Sequence, residues 1–329
     1  MLKRFANRSL LRLAAAALML SGVLVAFAPS SFAADKLRVG KAVPEAFSFV
    51  PLDIGIAHGI FKKHGLNIEP SSFGGGARLQ QALAAGGIDV ALGSGPELAF
   101  IAKGAPQLGV AVLANEPRLL VLVVRKDAPI HSIEDLKGRP ISVSTVGSST
   151  FWLLRELSRR QGWGPDGIKT VPLGADPAQL AAMKTREVDG LIVDVGTAYQ
   201  LEERGEGRII VKFRDIIKDF HLHVIYASRE LMAKNPDAVK RFLLGWFETI
   251  DFMRKNKAEA IKIAQPVVGV SPEIVGKIYD ELMPMLSADG KFDPKALEVL
   301  RKSFVELGTL PQEPDMSELY TEKFLSAVR

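Results

Sequence analysis

Two segments one hundred positions apart constrain the fold more than any other feature of the chain. Ile88-Asp89-Val90-Ala91-Leu92-Gly93-Ser94 and Val188-Asp189-Gly190-Leu191-Ile192-Val193-Asp194 share an apolar residue, an aspartate, a short apolar run and a polar end. Each closes the third strand of a strand–helix–strand–helix–strand–helix series. In the first series strands are expected at 36–43, 66–69 and 90–93, with helices at 52–63 and 77–85. A third helix starts at Ser94, where Ser94 and Glu97 match a capping box with Pro96 in the first turn. In the second series strands are expected at 141–146, 168–172 and 190–194, with helices at 149–161, at 177–185 and after Asp194. Alternating strands and helices make mostly parallel sheets covered on both faces. Two such series make an α/β protein of two lobes.

Two apolar runs, 119–125 and 223–228, read as the strands that join the lobes. Lobe one is therefore expected at 34–120 plus 227–329 and lobe two at 121–226. Beyond Ser228 the chain reads as helical. Asn235-Pro236, Ser271-Pro272 and Asp293-Pro294 each pair a capping residue with proline at a helix start. Val239, Phe242, Leu243, Trp246, Ile250 and Met253 recur at helical spacing and read as core.

Open α/β sheets bind ligands beyond the carboxyl ends of their strands. That rule selects loop 44–49 with Phe47, the pair Ser94 and Gly95, the turn at 147–150, and Asp194. At Ser148, Ser149 and Thr150 a helix begins, and a helix start offers unpaired N–H groups and the positive end of its dipole to an anion. Three hydroxyls there form a polar cup, or one of them caps the helix. Phe47 and Phe49 either wall a cleft or pin their loop. Asp194 either bonds a ligand N–H or caps the following helix; its place at the expected cleft favours the ligand. Gly74-Gly75-Gly76 reads as a sharp helix entry.

The first 33 residues read as a cleavable export leader. Lys3, Arg4, Arg8 and Arg12 precede a mainly apolar run at 13–27, followed by Ser31-Phe32-Ala33 as a small-x-small cleavage site. The run is shorter than the roughly 20 residues of a membrane span. With no cysteine in the chain there is neither a lipid-attachable residue nor a disulfide, so stability rests on the core. The net charge of +5 falls to about +1 once the four basic residues of the leader are removed. A nucleic-acid partner is not expected from charges so evenly mixed.

Some apparent motifs fail on context. Gly162-Trp163-Gly164-Pro165-Asp166-Gly167 fits the dinucleotide pattern but follows a helix and precedes a strand, the reverse of the required order. Gly167-Ile168-Lys169-Thr170 precedes a strand as well. His221 and His223, two apart, lack a nearby carboxylate at ligand spacing and read as a packed or hydrogen-bonded pair. No metal, cofactor or catalytic residue is expected.

The leader, Gly59-Ile60-Phe61-Lys62-Lys63-His64-Gly65-Leu66, Gly87–Ser94, and Ser132-Ile133-Glu134-Asp135-Leu136-Lys137-Gly138 with the run to Thr150 resemble solute-binding proteins of ABC importers. The branch is the nitrate, sulfonate and taurine type, which includes binders of pyrimidine precursors of thiamine. The resemblance implies a type II-like clamshell with two hinge strands. It closes on a small anionic organic solute, a sulfonate or a carboxylate, and docks on a permease and ATPase complex at the inner membrane. It implies a monomer free in the periplasm. Matching ligand positions are Ser94, Ser148, Ser149, Thr150 and Asp194. A pyrimidine ligand, a sensing role and a cofactor-biosynthesis enzyme on the same scaffold are the alternatives.

Overall fold

A computed structural model describes residues 34–327, so the expected leader lies outside the described residues. Among these residues, ten strands form two five-stranded sheets. The first contains β1 (Asp35–Lys41), β2 (Leu66–Ser72), β3 (Val90–Ser94), β4 (Gln107–Asn115) and β10 (His221–Ser228), in the order β2-β1-β3-β10-β4. The second contains β5 (Leu120–Arg125), β6 (Pro140–Val143), β7 (Lys169–Pro172), β8 (Gly190–Asp194) and β9 (Gly207–Lys212), in the order β7-β6-β8-β5-β9. The doubled series thus yields the same topology twice. β1 pairs in parallel with β2 and β3, and β6 with β7 and β8. One antiparallel strand enters each sheet from the crossing between lobes: β10 beside β3 and β4, β5 beside β8 and β9.

The crossings occur at residues 116–119 and 213–220, and they bond to each other through Glu116 N–H and the Phe220 carbonyl at 2.9 Å. The boundary expected at 226/227 falls inside β10, which pairs with β3 or β4 along its whole length. By sheet membership the return crossing lies earlier, where the short helix Phe213–Ile216 interrupts the strand pattern. Strands β4 and β9 carried no sequence expectation; each is the outer strand of its sheet.

Local chemistry explains where the other boundaries moved. The helix expected at 52–63 is a 3-10 turn Phe47–Phe49 followed by helices Val50–Ala57 and Ile60–Lys63. Gly59, at φ +67°, breaks it in a conformation that side chains disfavour. β6 ends at Val143 instead of 146 because the Ser144 N–H donates to Thr150 Oγ1 at 2.9 Å and leaves the ladder. Pro70 is tolerated because β2 is an edge strand.

The three capped C-terminal helices, Pro236–Lys255, Pro272–Leu282 and Pro294–Glu306, stand as expected, with Asn235, Ser271 and Asp293 accepting from Ala238, Ile274 and Lys295 N–H groups. The stripe from Val239 to Met253 is buried, and Phe242 stacks on Phe61 of lobe one at 5.4 Å. No helix among the described residues is long and apolar enough to cross a membrane.

Candidate functional site

The two lobes touch across a cleft, and hydrogen bonds span it. Phe47 N–H donates to Asp194 Oδ2 at 3.3 Å, Asp176 N–H to Glu45 Oε1 at 3.3 Å, and Ala77 N–H to Thr145 Oγ1 at 3.2 Å. Trp152 Nε1 donates to Ser303 Oγ at 2.7 Å. Between these contacts lies a cavity of about 60 Å³, lined by both lobes. That is space for about two waters at their roughly 30 Å³ share of liquid volume.

One wall is the start of helix Ser149–Arg160. Gly147, at φ +83°, turns the chain into it, and Ser148 is its N-cap, accepting from Phe151 N–H at 3.3 Å. The hydroxyls of Ser144, Ser148 and Thr150 form a triangle 3.0 Å on each side. Ser148 therefore caps the helix and also lines the cavity. Ser149 differs from its neighbours: it lines the cavity, but its hydroxyl donates to the Leu222 carbonyl at 3.1 Å, across the lobes. A hydroxyl has one proton, so Ser149 can offer a ligand its backbone N–H but not its O–H while that bond stands.

The remaining selected residues separate. Ser94 and Asp194 line the cavity. Asp194 both caps its helix, accepting from Gly196 N–H at 2.9 Å, and faces the cleft. Phe47 does not wall the cavity: its ring packs edge-on against Tyr279 at 6.2 Å, and only its N–H reaches Asp194. Phe49 is the wall, with its ring 4.6 Å from that of His223. Gly95 does not line the cavity either. A side chain there would strike the His221 carbonyl, so its role is close approach to β10. Gly75, at φ +140°, does the same for the lobes, since a side chain would collide with Thr145.

Sequence reasoning missed the dominant electrostatic feature, a cleft rich in carboxylates. Glu45, Glu97, Asp176 and Asp194 all line it, and among the described residues no lysine or arginine does. Glu97 is fully buried and accepts from Gln80 Nε2 and from Ser94 Oγ, the latter at 2.8 Å. Ser94 therefore serves Glu97 instead of capping the helix, and the expected capping box does not form as such. Burial pushes Glu97 up to about 7 against those hydrogen bonds, and it pushes Asp194 up to about 7 against donation from Gly196 and Phe47. Burial, then the charge of Glu45, holds Asp176 well above the usual carboxylate range, although the Thr197 hydroxyl donates to it at 2.8 Å. The hundred-residue offset carried a signal for Asp176: helices Gly76–Ala84 and Asp176–Lys184 start at equivalent positions, both in the cavity lining.

The two histidines are hydrogen-bonded. His221 accepts from Asp293 N–H at 3.0 Å and pairs with Asn115 Oδ1 at 2.9 Å. His223 shares a 2.7 Å bond with the buried Ser48 hydroxyl. Burial lowers them to about 4 and about 3, so both are neutral.

A family model described as NMT1/THI5 like matches residues 46–260. The chain belongs to this family. Among its relatives, the taurine-binding periplasmic protein of Escherichia coli is 29% identical over 227 residues, covering 67% of this chain and 68% of that protein. The 4-amino-5-hydroxymethyl-2-methylpyrimidine phosphate synthase THI11 of Saccharomyces cerevisiae is 26% identical over 255 residues, covering 73% and 69%. The alkanesulfonate-binding protein SsuA of Xanthomonas axonopodis pv. citri, solved bound to MOPS, superposes with a TM-score of 0.74 at 20% identity, covering 85% of this chain and 94% of that one. That superposition fixes the fold of this NMT1/THI5-like chain as the two-lobed clamshell of a binding protein.

Proposed function

We propose that the protein is the periplasmic substrate-binding component of an ABC importer. On this reading the leader at 1–33 exports it, without a lipid anchor. It then captures a small organic anion, a sulfonate or carboxylate, between its lobes and passes it as a monomer to a membrane permease and its ATPase. The observation that carries the reading is the start of helix Ser149–Arg160, which opens into a cavity that both lobes must close to complete. Its first-turn N–H groups have no intrahelical acceptor, and its dipole favours negative charge. The Ser148 and Thr150 hydroxyls can turn from their triangle toward an anion. Binding contacts with both lobes exist only in the closed form, and that difference in affinity shifts the population toward it.

The second reading, a binder of an aminopyrimidine related to thiamine precursors, draws on the carboxylates of the cleft, which accept hydrogen bonds from ring and exocyclic N–H groups. A cofactor-forming enzyme on this scaffold, as THI11 is named, would instead convert such a ligand. One experiment separates these readings. Residues 34–329 are melted against sulfonates, aliphatic and aromatic carboxylates, nitrate and aminopyrimidines. A ligand at one hundred times its dissociation constant adds about 2.7 kcal/mol, a shift on the order of 5 °C or more. A shift with acids alone supports the importer reading, and a shift with pyrimidines alone replaces it. Turnover of a bound pyrimidine would make the protein an enzyme.

A further inference from the structure

Ser94 is the one hydroxyl that lobe one brings to the cavity among the described residues, and its proton is already committed. It donates to Glu97 Oε1 at 2.8 Å, while the Ser94 carbonyl accepts from the Tyr226 hydroxyl at 2.5 Å. A carboxylate in that position withholds from an anion the donor that this hydroxyl could give it. Glu97 is also tightly built in. It is fully buried, a side chain at Gly76 or Gly93 would strike its carboxyl group, and among the described residues no lysine or arginine lines the cavity beside it. Its other oxygen accepts from Gln80 Nε2, and Gln80 Oε1 accepts in turn from Gln107 Nε2. The lining amide of lobe two does not replace the missing donor. Gln179 Nε2 donates to the Gly174 carbonyl at 2.9 Å, and its buried Oε1, an acceptor, has no hydrogen-bond partner.

We propose, on the importer reading above, that Glu97 is a positioning residue whose proton turns the Ser94 hydroxyl toward the bound anion, so that cargo and proton are taken up together. In the ionised form Oε1 accepts from Ser94. Protonated on that oxygen, Glu97 donates to Ser94 Oγ instead, and the serine proton is free to point into the cavity. The bond from Gln80 is kept in both forms. The proton comes from solvent, and an anion in the cavity favours the neutral acid over the carboxylate. Burial already pushes Glu97 up to about 7, and the anion raises it further. Affinity is therefore constant below about pH 7 and falls as pH rises above it. The groups facing Glu97 are Gln80 from helix Gly76–Ala84, Ser94 beside it, and Tyr226 and His223 from β10, where His223 pairs with Ser94. Burial, then the charge of Glu97, holds Tyr226 well above its usual value, and His223 is neutral, so neither changes charge near pH 7. Across the cavity Asp176, which Glu45 faces from the loop after β1, and Asp194 also hold protons into this range, so substitution must separate them from Glu97.

Titration calorimetry at pH 6 and pH 8 tests this with ethanesulfonate, benzenesulfonate, propionate, benzoate and nitrate, whose charges are constant over that range. At least one probe is expected to bind about tenfold tighter at pH 6 than at pH 8. At pH 8 its binding enthalpy should vary with the ionisation enthalpy of the buffer in the sense of proton uptake. E97Q carries the pattern of the neutral acid permanently, its amide donating to Ser94 and accepting from Gln80. Its affinities at the two pH values should agree within about threefold. S94A should lose about tenfold at pH 6 and little at pH 8, where the wild-type serine proton is held by Glu97. D176N and D194N should keep the wild-type slope, and melting curves show that each variant folds. Wild-type affinity that does not change with pH, a slope that survives in E97Q or S94A, or one lost in D176N or D194N would overturn the proposal and leave the importer reading intact. Failure of every probe to bind would overturn the importer reading, and the proposal with it.

Discussion

Asp176 N–H donates to Glu45 Oε1 at 3.3 Å, so two acidic residues 131 positions apart hold opposite sides of the cleft together. Burial first, and then repulsion from the Glu45 carboxylate, makes Asp176 hold its proton well above the usual carboxylate range. The stability that goes with the protonated form is present below the ordinary aspartate value and is lost as pH rises through the elevated one. The amide introduced by D176N needs no proton and can still accept from Thr197. D176N is therefore expected to melt higher than wild type by several degrees at pH 9, with little difference at pH 5, in calorimetric scans without ligand. A variant that tracks wild type at both pH values would show that the pair carries no pH-dependent strain.

Glu97 gives a second pH signature, located inside lobe one. Its carboxyl is fully buried and is pushed up to about 7, mainly by burial. An acid raised in the folded state stabilises fully below its unfolded value near 4.5, and that contribution disappears as pH rises through about 7. The size is on the order of 3 kcal/mol over that window. E97Q keeps the shape and an acceptor for Gln80, so its stability should change less between pH 5 and pH 8 than that of the wild type. Urea unfolding at the two pH values measures it.

Much of this site was legible because strand ends and helix starts are local features. Ser94, Ser148, Thr150 and Asp194 follow from counting strands and applying the strand-end rule, and all four line the cavity. Residues whose role depends on distant partners were not legible. Glu45 looked like any loop residue until Asp176 met it, and nothing local marks the unpartnered amide of Gln179. Phe47 and Phe49 are two apart in one loop, and only packing against Tyr279 decides that Phe47 turns away. The same limit hid β4 and β9, whose pairing partners β10 and β5 lie far from them or across a crossing.

Removing the hydroxyls at the helix start should weaken the site without unfolding the lobe. S148A with T150A deletes two corners of the triangle and the cap on Phe151 N–H. The lost cap costs about 1 kcal/mol of stability, too little to unfold a domain of this size. Affinity for the best anion of the panel is expected to fall tenfold or more by calorimetry. Unchanged affinity would remove this turn as the anion site, even with the importer reading otherwise upheld.

Gly75 lets the lobes come together, and its substitution should separate closure from folding. It adopts φ +140° and ψ 155°, a region open almost only to glycine, and a side chain there would collide with Thr145 of lobe two. G75A therefore carries two penalties: backbone strain of about 1–3 kcal/mol and a steric block that exists only when the cleft is shut. The strain is felt by any form that keeps this turn, whereas the block falls on the closed form alone. Adding T145A relieves the collision, at the expense of the bond from Ala77 N–H to the threonine hydroxyl. G75A is expected to lose ligand affinity tenfold or more and to scatter X-rays with a larger radius of gyration at saturating wild-type ligand concentrations. The double variant should regain part of the affinity with no gain in melting temperature. If the double variant recovers nothing, backbone strain at residue 75, and not contact with Thr145, controls closure.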